Sequence, residues 1–175
     1  MKPLDNDGIE LCEYQAQIFE ESVSKLKCSS PVFIRRYFRS DFARRMDRGL
    51  TILFDFGVDE AFKDIERQFG PSSYGRIKLS PDAMNWYGWI TRYICYTRGC
   101  SSSWLYREFP PAAFLNGYSG YHTQNEEQVI ASILRKRDLK GSFLDPVERL
   151  KDIIRNRMNL ERREKIEKYT RNTPQ

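Results

Sequence analysis

The stretch VFIRRYFRSDFARRMDRG, residues 32–49, decides the fold class, because its apolar and basic side chains recur at helical spacing. On a helix over residues 31–39, the apolar side chains share one broad side and the arginines gather on the other. A helix over residues 41–48 repeats this design around Phe42 and Met46. The phase predicts two amphipathic helices whose arginines point outward: Arg35, Arg36, Arg39, Arg44, Arg45 and Arg48.

Helix signals dominate the rest of the chain as well. Serine or aspartate precedes proline at Ser30-Pro31, Ser80-Pro81 and Asp145-Pro146, a pairing typical of helix starts. Glycines that follow periodic segments indicate helix ends at Gly49, Gly70 and Gly99. The further predicted helices cover residues 8–27, 59–69, 81–98, 102–109 and 125–136, with a long one from 146 to about 170. Residues 50–56 could form a short strand.

The predicted fold is therefore all-α: a compact multi-helix domain over residues 1–136, followed by a linker and a long basic C-terminal helix over residues 137–175. The charge supports this division. Residues 1–134 hold 16 Lys and Arg against 17 Asp and Glu, whereas residues 135–175 hold 13 against 7. The whole net charge of +5 thus comes from the tail.

The amino-acid composition argues against several classes of functional site. Four cysteines without a C-x-x-C pair and a single histidine leave a zinc site without ligands, so no metal and no cofactor are predicted. A Cys95–Cys100 bridge is conceivable, but reduced and mostly buried thiols are favoured. The longest strongly apolar run is too short for a membrane span, and nothing indicates secretion, which favours a cytoplasmic protein without a membrane partner.

The outward arginines allow two interpretations. They form either an ordinary solvated helix face, which the helical phase alone favours, or a docking surface. The use of arginine throughout shifts the balance toward docking, since its planar fork suits carboxylate and phosphate. Asp41 and Asp47 interrupt the run, and the aromatic side chains turn inward, away from any base. Arginine with aromatic residues is typical of protein interfaces, so a protein partner is favoured over nucleic acid.

Residues 85–109, NWYGWITRYICYTRGCSSSWLYREF, have the outline of a helix-turn-helix. A DNA-reading second helix needs polar side chains that reach bases. This one carries Trp104 and Leu105, and its one cation, Arg107, is followed directly by Glu108. The pattern therefore predicts a packed helix and not a DNA reader.

The only histidine, His122, precedes Thr123 and Glu126, which have the spacing of a capping box. This spacing predicts a structural position just outside a helix start. A catalytic role would need a nucleophile or an acid beside it, and Ser119 and Cys100 are the open candidates. The prediction is that the chain is not an enzyme.

Two stretches resemble a family of short, functionally uncharacterised bacterial proteins. YICYTRGCSSSWLYREF and GYSGYHTQNEEQVIASI carry its pattern, and SSPVFIRRYFRSDFARRMDRG is similar to the opening of a longer group with the same second half. The chain departs from the family at Pro110-Pro111 and in the basic tail from residue 137 onward. The matching residues are Tyr96, Ser101, Leu105, Tyr106, Tyr118, His122 and Thr123.

Members of that family often lie beside genes for ADP-ribosyltransferase-like toxins, so the resemblance implies an antitoxin-type binding role. The expected partner is a toxin encoded by the adjacent gene, covered by the arginine-bearing helices and by tail residues such as Arg155 and Arg162. Nucleic-acid binding through the tail and the arginine face is the alternative.

Overall fold

The computed structural model describes residues 2–49, 57–121 and 123–137, which form nine helices and no strand. The first four are α1 (Asn6–Lys25), α2 (Ser30–Arg39), α3 (Asp41–Asp47) and α4 (Gly57–Phe69). The others are α5 (Pro81–Arg98), α6 (Ser102–Glu108), α7 (Pro111–Leu115), α8 (Tyr118–Tyr121) and α9 (Glu126–Arg137). The all-α prediction is confirmed for these residues.

Helices α1 and α5 form the centre of the described fold, and they share more contacts than any other pair of described helices. Their close approach depends on a glycine. A Cβ atom added at Gly88 would lie 2.9 Å from the Cα atom of Ala16 and 2.9 Å from the carbonyl oxygen of Gln15. Small residues at this crossing therefore let the two backbones touch, and the larger apolar side chains pack around that point.

Helices α2 and α3 add an aromatic layer to this pair. The ring of Phe19 on α1 meets Phe33, Tyr37 and Phe38 on α2 edge-on, at centroid distances of 5.2, 4.7 and 5.9 Å. Edge-to-face contacts of this kind stabilise a core beyond simple burial. The apolar residues predicted to face inward on α2 and α3 are all buried, which confirms the helical phase: Val32, Phe33, Ile34, Tyr37, Phe38, Phe42, Ala43 and Met46.

The helix-start signals are confirmed at one site and shifted at another. Ser80 is the N-cap of α5, and its hydroxyl accepts a hydrogen bond from the Ala83 amide at 3.3 Å. The N-cap of α2 is Ser29 and not Ser30. Ser30 is the first residue of the helix, and its hydroxyl makes a tertiary contact by accepting from the Leu79 amide, 3.0 Å away. Asp145-Pro146 lies outside the described residues.

The glycine signals at helix ends are confirmed. Gly49, Gly70 and Gly99 have φ angles of 69°, 75° and 64°. Gly99 is the C-cap of α5, and its left-handed backbone turns the chain from α5 toward α6.

Two short helices, α7 and α8, were not predicted. Pro110 and Pro111 follow the end of α6 and start α7, since proline at the first helical position gives up an amide that the helix cannot use. Phe114 of α7 is buried and packs against Tyr87 and Phe109, at 5.5 and 6.4 Å between ring centroids. The buried ring of Phe114 thus holds α7 in place, although this helix is too short to show hydrophobic periodicity in the sequence.

The predicted capping box of α9 is wrong. Asn125 precedes the helix, and its side-chain oxygen accepts from the Gln128 amide at 2.9 Å. Glu126 instead accepts a hydrogen bond from the indole of Trp89 at 3.2 Å. The possible strand at 50–56, the linker and the basic C-terminal helix lie outside the described residues.

The α1–α5 crossing can be tested at Gly88. We expect Gly88→Ala to lower the free energy of unfolding by about 1–3 kcal/mol, because the added methyl group overpacks the crossing. Urea unfolding followed by circular dichroism measures the change. Gly120→Ala is the matched control, since nothing lies within 4 Å of a Cβ atom there. Equal stability of the two variants would contradict the role of Gly88.

Candidate functional site

The six arginines of α2, α3 and the residue after α3 point away from the core, as their phase predicts. Arg35, Arg39, Arg44 and Arg48 are exposed, and Arg36 and Arg45 are half-buried. Their surroundings divide them into two groups, one with partners inside the protein and one without an acidic partner among the described residues.

Three of the arginines are occupied by the protein's own groups. Arg44 pairs with Asp41 one turn earlier, and Arg45 pairs with Asp64 of α4. Arg36 donates to the carbonyl oxygens of Gly70 at 2.6 Å and of Phe69 at 3.4 Å. It therefore caps the carboxyl end of α4, where a cation is favoured. These three contribute less to an external docking surface than the sequence predicts.

The remaining three keep their charge available. No carboxylate in the described parts of the chain lies within ion-pair distance of Arg35, Arg39 or Arg48. The guanidinium of Arg39 lies over the ring of Tyr106 at 5.8 Å, and that ring stacks on Phe38 with centroids 5.6 Å apart. Stacking orients a guanidinium without neutralising it.

The loop between α4 and α5 has an exposed apolar feature that the sequence does not predict. Tyr74 and Ile77 are 77% and 66% exposed, although both are large apolar side chains. Arg76, between them, is exposed too. The sequence signal for this exposed feature is YGRIK, residues 74–78, in which apolar and basic residues alternate outside any helix.

The backbone of this loop is held in place along its length. The Ser29 amide donates to the Tyr74 carbonyl at 3.0 Å, and the Ser30 amide donates to the Ile77 carbonyl at 2.9 Å. Lys78 donates from its ammonium group to the carbonyl of Leu26 at 2.7 Å. The loop backbone is therefore bonded to the start of α2, the helix that carries Arg35 and Arg39 farther along. We call Tyr74, Arg76 and Ile77 with Arg35 and Arg39 the arginine–loop surface.

Asp47 has a different role from the one expected. The sequence pattern places it as an acid that interrupts the arginine run, but its side chain is only 14% exposed and pairs with Arg92 of α5. Its Oδ1 atom lies 2.9 Å from the Arg92 Nη1 atom. The Ser102 amide and hydroxyl donate to the same carboxylate at 2.9 and 2.6 Å. Asp47 therefore does not offset the arginines as part of a surface.

Arg92 is 1% exposed, and its guanidinium is hydrogen-bonded on every nitrogen. It donates to Gln15 Oε1 at 2.8 Å, to Asp47 and to the Ser102 hydroxyl at 2.8 Å. Tyr37 donates to the same Gln15 oxygen at 2.9 Å. Burial disfavours the charged guanidinium, yet the surrounding groups, Asp47 among them, hold the pKa of Arg92 above its ordinary value. We call these five residues the Arg92 network.

The residues of the family resemblance fall beside different helices. Tyr106 stacks on Phe38 of α2, and Tyr118 packs against Trp86 of α5 at 5.4 Å between centroids. Thr123 is exposed, and His122 lies outside the described residues, as do Arg155 and Arg162. On α6, Leu105 is buried and Arg107 pairs with Glu108 at 3.1 Å, which agrees with the prediction of a packed helix.

Residues 2–49, 57–121 and 123–137 contain no group of three or more histidine, cysteine or acidic side chains that could hold a metal ion. None of their helices combines the length and the apolar character that crossing a bilayer requires.

The Arg92 network can be tested through its acid. We expect Asp47→Ala to lower the free energy of unfolding by about 3–5 kcal/mol, because it leaves a buried guanidinium without its counter-charge. Asp41→Ala, which breaks the exposed pair with Arg44, should cost no more than about 1 kcal/mol. Urea titrations of both variants measure the difference. Similar losses in the two variants would show that burial of Arg92 is not what makes Asp47 necessary.

No protein-family model, curated protein or solved structure matches this chain. The family resemblance and the role that it implies therefore stay predictions.

Proposed function

We propose that this chain is a non-enzymatic bacterial binding protein of antitoxin type, which covers a protein partner through its arginine–loop surface and its basic tail. The observation that carries the proposal is the exposure of Tyr74 and Ile77. They lie on a loop whose backbone is hydrogen-bonded to the start of the arginine-bearing helix α2. Large exposed apolar side chains next to arginines are typical of the residues that dominate binding energy in protein interfaces.

The loop supports docking because its backbone is already ordered. Binding costs free energy for every segment that it must immobilise. Because this loop is already hydrogen-bonded to Ser29, Ser30 and Leu26, it avoids most of that cost. The aromatic ring of Tyr74 adds contact area with few rotatable bonds. The loop is therefore suited to a partner that receives Tyr74 and Ile77 in an apolar pocket.

The charges indicate the chemistry of that partner. Arg35, Arg39 and Arg76 are exposed in the surface, so a complementary partner carries carboxylates around its apolar pocket. Such complementarity speeds the encounter and selects the partner more than it adds affinity. A toxin encoded beside the chain, as the family resemblance implies, is the partner that we propose.

Nucleic acid fits the described surface less well. Affinity for a phosphate backbone comes from many unpaired cations, whereas Arg36, Arg44 and Arg45 are occupied by the protein's own groups. The aromatic side chains of α2 are buried in the core, where they cannot stack on bases. Nucleic-acid binding remains the alternative for the basic tail.

The protein-binding proposal is tested by co-expression with the product of the adjacent gene. We expect the two proteins to copurify, and we expect the double variant Tyr74→Ala, Ile77→Ala to bind at least tenfold more weakly. The physical reason is that truncation of residues at the centre of an interface costs about 2 kcal/mol or more. Titration calorimetry of the purified pair measures the affinity.

The matched control is Glu10→Ala with Glu13→Ala, which changes two exposed residues near the other end of α1 and should leave the affinity unchanged. Arg35→Glu should mainly slow association, and this effect should shrink at high salt. Failure of the two wild-type proteins to copurify would reject the toxin as the partner. Copurification with full affinity in the double loop variant would reject the loop as the docking site.

The nucleic-acid alternative has its own test. We expect Arg35→Glu to leave the affinity for a short labelled DNA or RNA duplex unchanged, because the arginine–loop surface does not contact phosphate in our proposal. Fluorescence anisotropy across a salt series measures the affinity. A steep fall of the wild-type affinity with salt that becomes shallower in Arg35→Glu would favour the alternative.

A further inference from the structure

Two cysteines lie together at the turn between α5 and α6. Gly99 ends α5 in the left-handed conformation, and the amides of Gly99 and Cys100 both bond to the Cys95 carbonyl, the latter at 3.2 Å. A helix end of this kind brings the side chains on either side of the glycine into contact. The backbone bond from the Cys100 amide to the Cys95 carbonyl accordingly places these two residues side by side across the turn.

Both thiols line a cleft of about 390 Å³, whose wall also includes Arg48, Tyr96 and Ser101. Cys95 is buried, whereas Cys100 is half-buried. A small solute in the cleft therefore has easier access to Cys100 than to Cys95. The other two cysteines of the chain, Cys12 and Cys28, are buried and do not line this cleft.

We propose that Cys95 and Cys100 form a site of reversible oxidation, which a hydroperoxide converts from a dithiol into an intramolecular disulfide. In the first step the Cys100 thiolate attacks one peroxide oxygen, the O–O bond breaks, and the released alkoxide or hydroxide takes up a proton. In the second step the Cys95 sulfur displaces the oxygen of the Cys100 sulfenic acid, which leaves as water with the Cys95 proton. The peroxide is reduced by two electrons, and the two thiols supply them.

The surroundings assign the order of the two steps. Cys100 is the more exposed of the two cysteines that line the cleft, so a peroxide reaches its sulfur more readily. The hydrogen bond with Cys100 and burial raise the pKa of the Cys95 thiol, so Cys95 is the resolving residue and not the attacking one. Burial raises the pKa of Cys12 to about 12, which makes that thiol unreactive.

The experiment treats the reduced full-length chain with hydrogen peroxide, quenches it, and counts free thiols after denaturation. We expect the count to fall from four to two, with full recovery after dithiothreitol. Peptide mass spectrometry should find Cys95 and Cys100 joined, with the loss of two hydrogen atoms. Gel filtration should give the same elution volume before and after oxidation, because the bridge is intramolecular.

Three variants separate the proposed site from general thiol oxidation. Cys28→Ser is the control and should oxidise like the wild type. Cys100→Ser should keep its three thiols under the same treatment, and Cys95→Ser should accumulate a sulfenic acid at Cys100 that dimedone traps. Circular dichroism melting curves, recorded for each variant before oxidation, establish that it is folded, and Cys100→Ser alone suffices if Cys95→Ser does not fold.

Other products overturn the proposal. These are no loss of thiols at a peroxide excess that oxidises a free cysteine control, a bridge that includes Cys12 or Cys28, a disulfide between two copies of the chain, or stepwise oxidation of Cys100 to the sulfinic acid while Cys95 stays reduced.

Discussion

The ion pair between Arg92 and Asp47 constrains most of the described fold. A guanidinium that is 1% exposed has lost its water, and such a loss costs several kcal/mol unless every donor finds an acceptor. The acceptors come from Gln15 on α1, Asp47 at the end of α3 and Ser102 on α6. Because each acceptor must lie within hydrogen-bond distance of the Arg92 side chain, the network fixes α1, α3, α5 and α6 relative to each other. Tyr37 connects α2 to the same network through its hydrogen bond to Gln15.

This constraint also shapes the two candidate sites. Asp47 is drawn inward at the end of α3, whereas Arg48, the next residue, is exposed. The same carboxylate accepts from the Ser102 amide, which anchors the start of α6. The turn that carries Cys95 and Cys100 is thus held between Arg92 on one side and Ser102 on the other. Cys95 and Cys100 stay side by side because both ends of this turn are bonded to the same buried network.

The local features of the fold could be predicted from the sequence, and the long-range polar contacts could not. Helical phase places the apolar side of α2 and α3 correctly because the period depends only on neighbouring residues. Arg45 and Asp64, or Arg92 and Asp47, are far apart in the chain, and nothing local indicates which acid each arginine meets. The position of Arg92 among buried residues of α5 does signal that a partner must exist. The exposed loop was missed for a related reason: periodicity describes helices and strands, and Tyr74 and Ile77 belong to neither.

The arginine–loop surface can bind a partner only through arginines that are not already paired inside the protein. An arginine held by an internal carboxylate, such as Arg45, gains little from a second acid outside, because its attraction is already satisfied and its side chain is ordered for another purpose. Arg35 and Arg39 have no such acid among the described residues, and the ring beneath Arg39 orders its guanidinium at no cost to its charge. With Tyr74 and Ile77 supplying apolar area on a fixed backbone, few charges are needed for specificity. The surface therefore suits recognition of one shaped, acidic protein site better than general attraction to a polyanion, whose binding grows with the number of free cations.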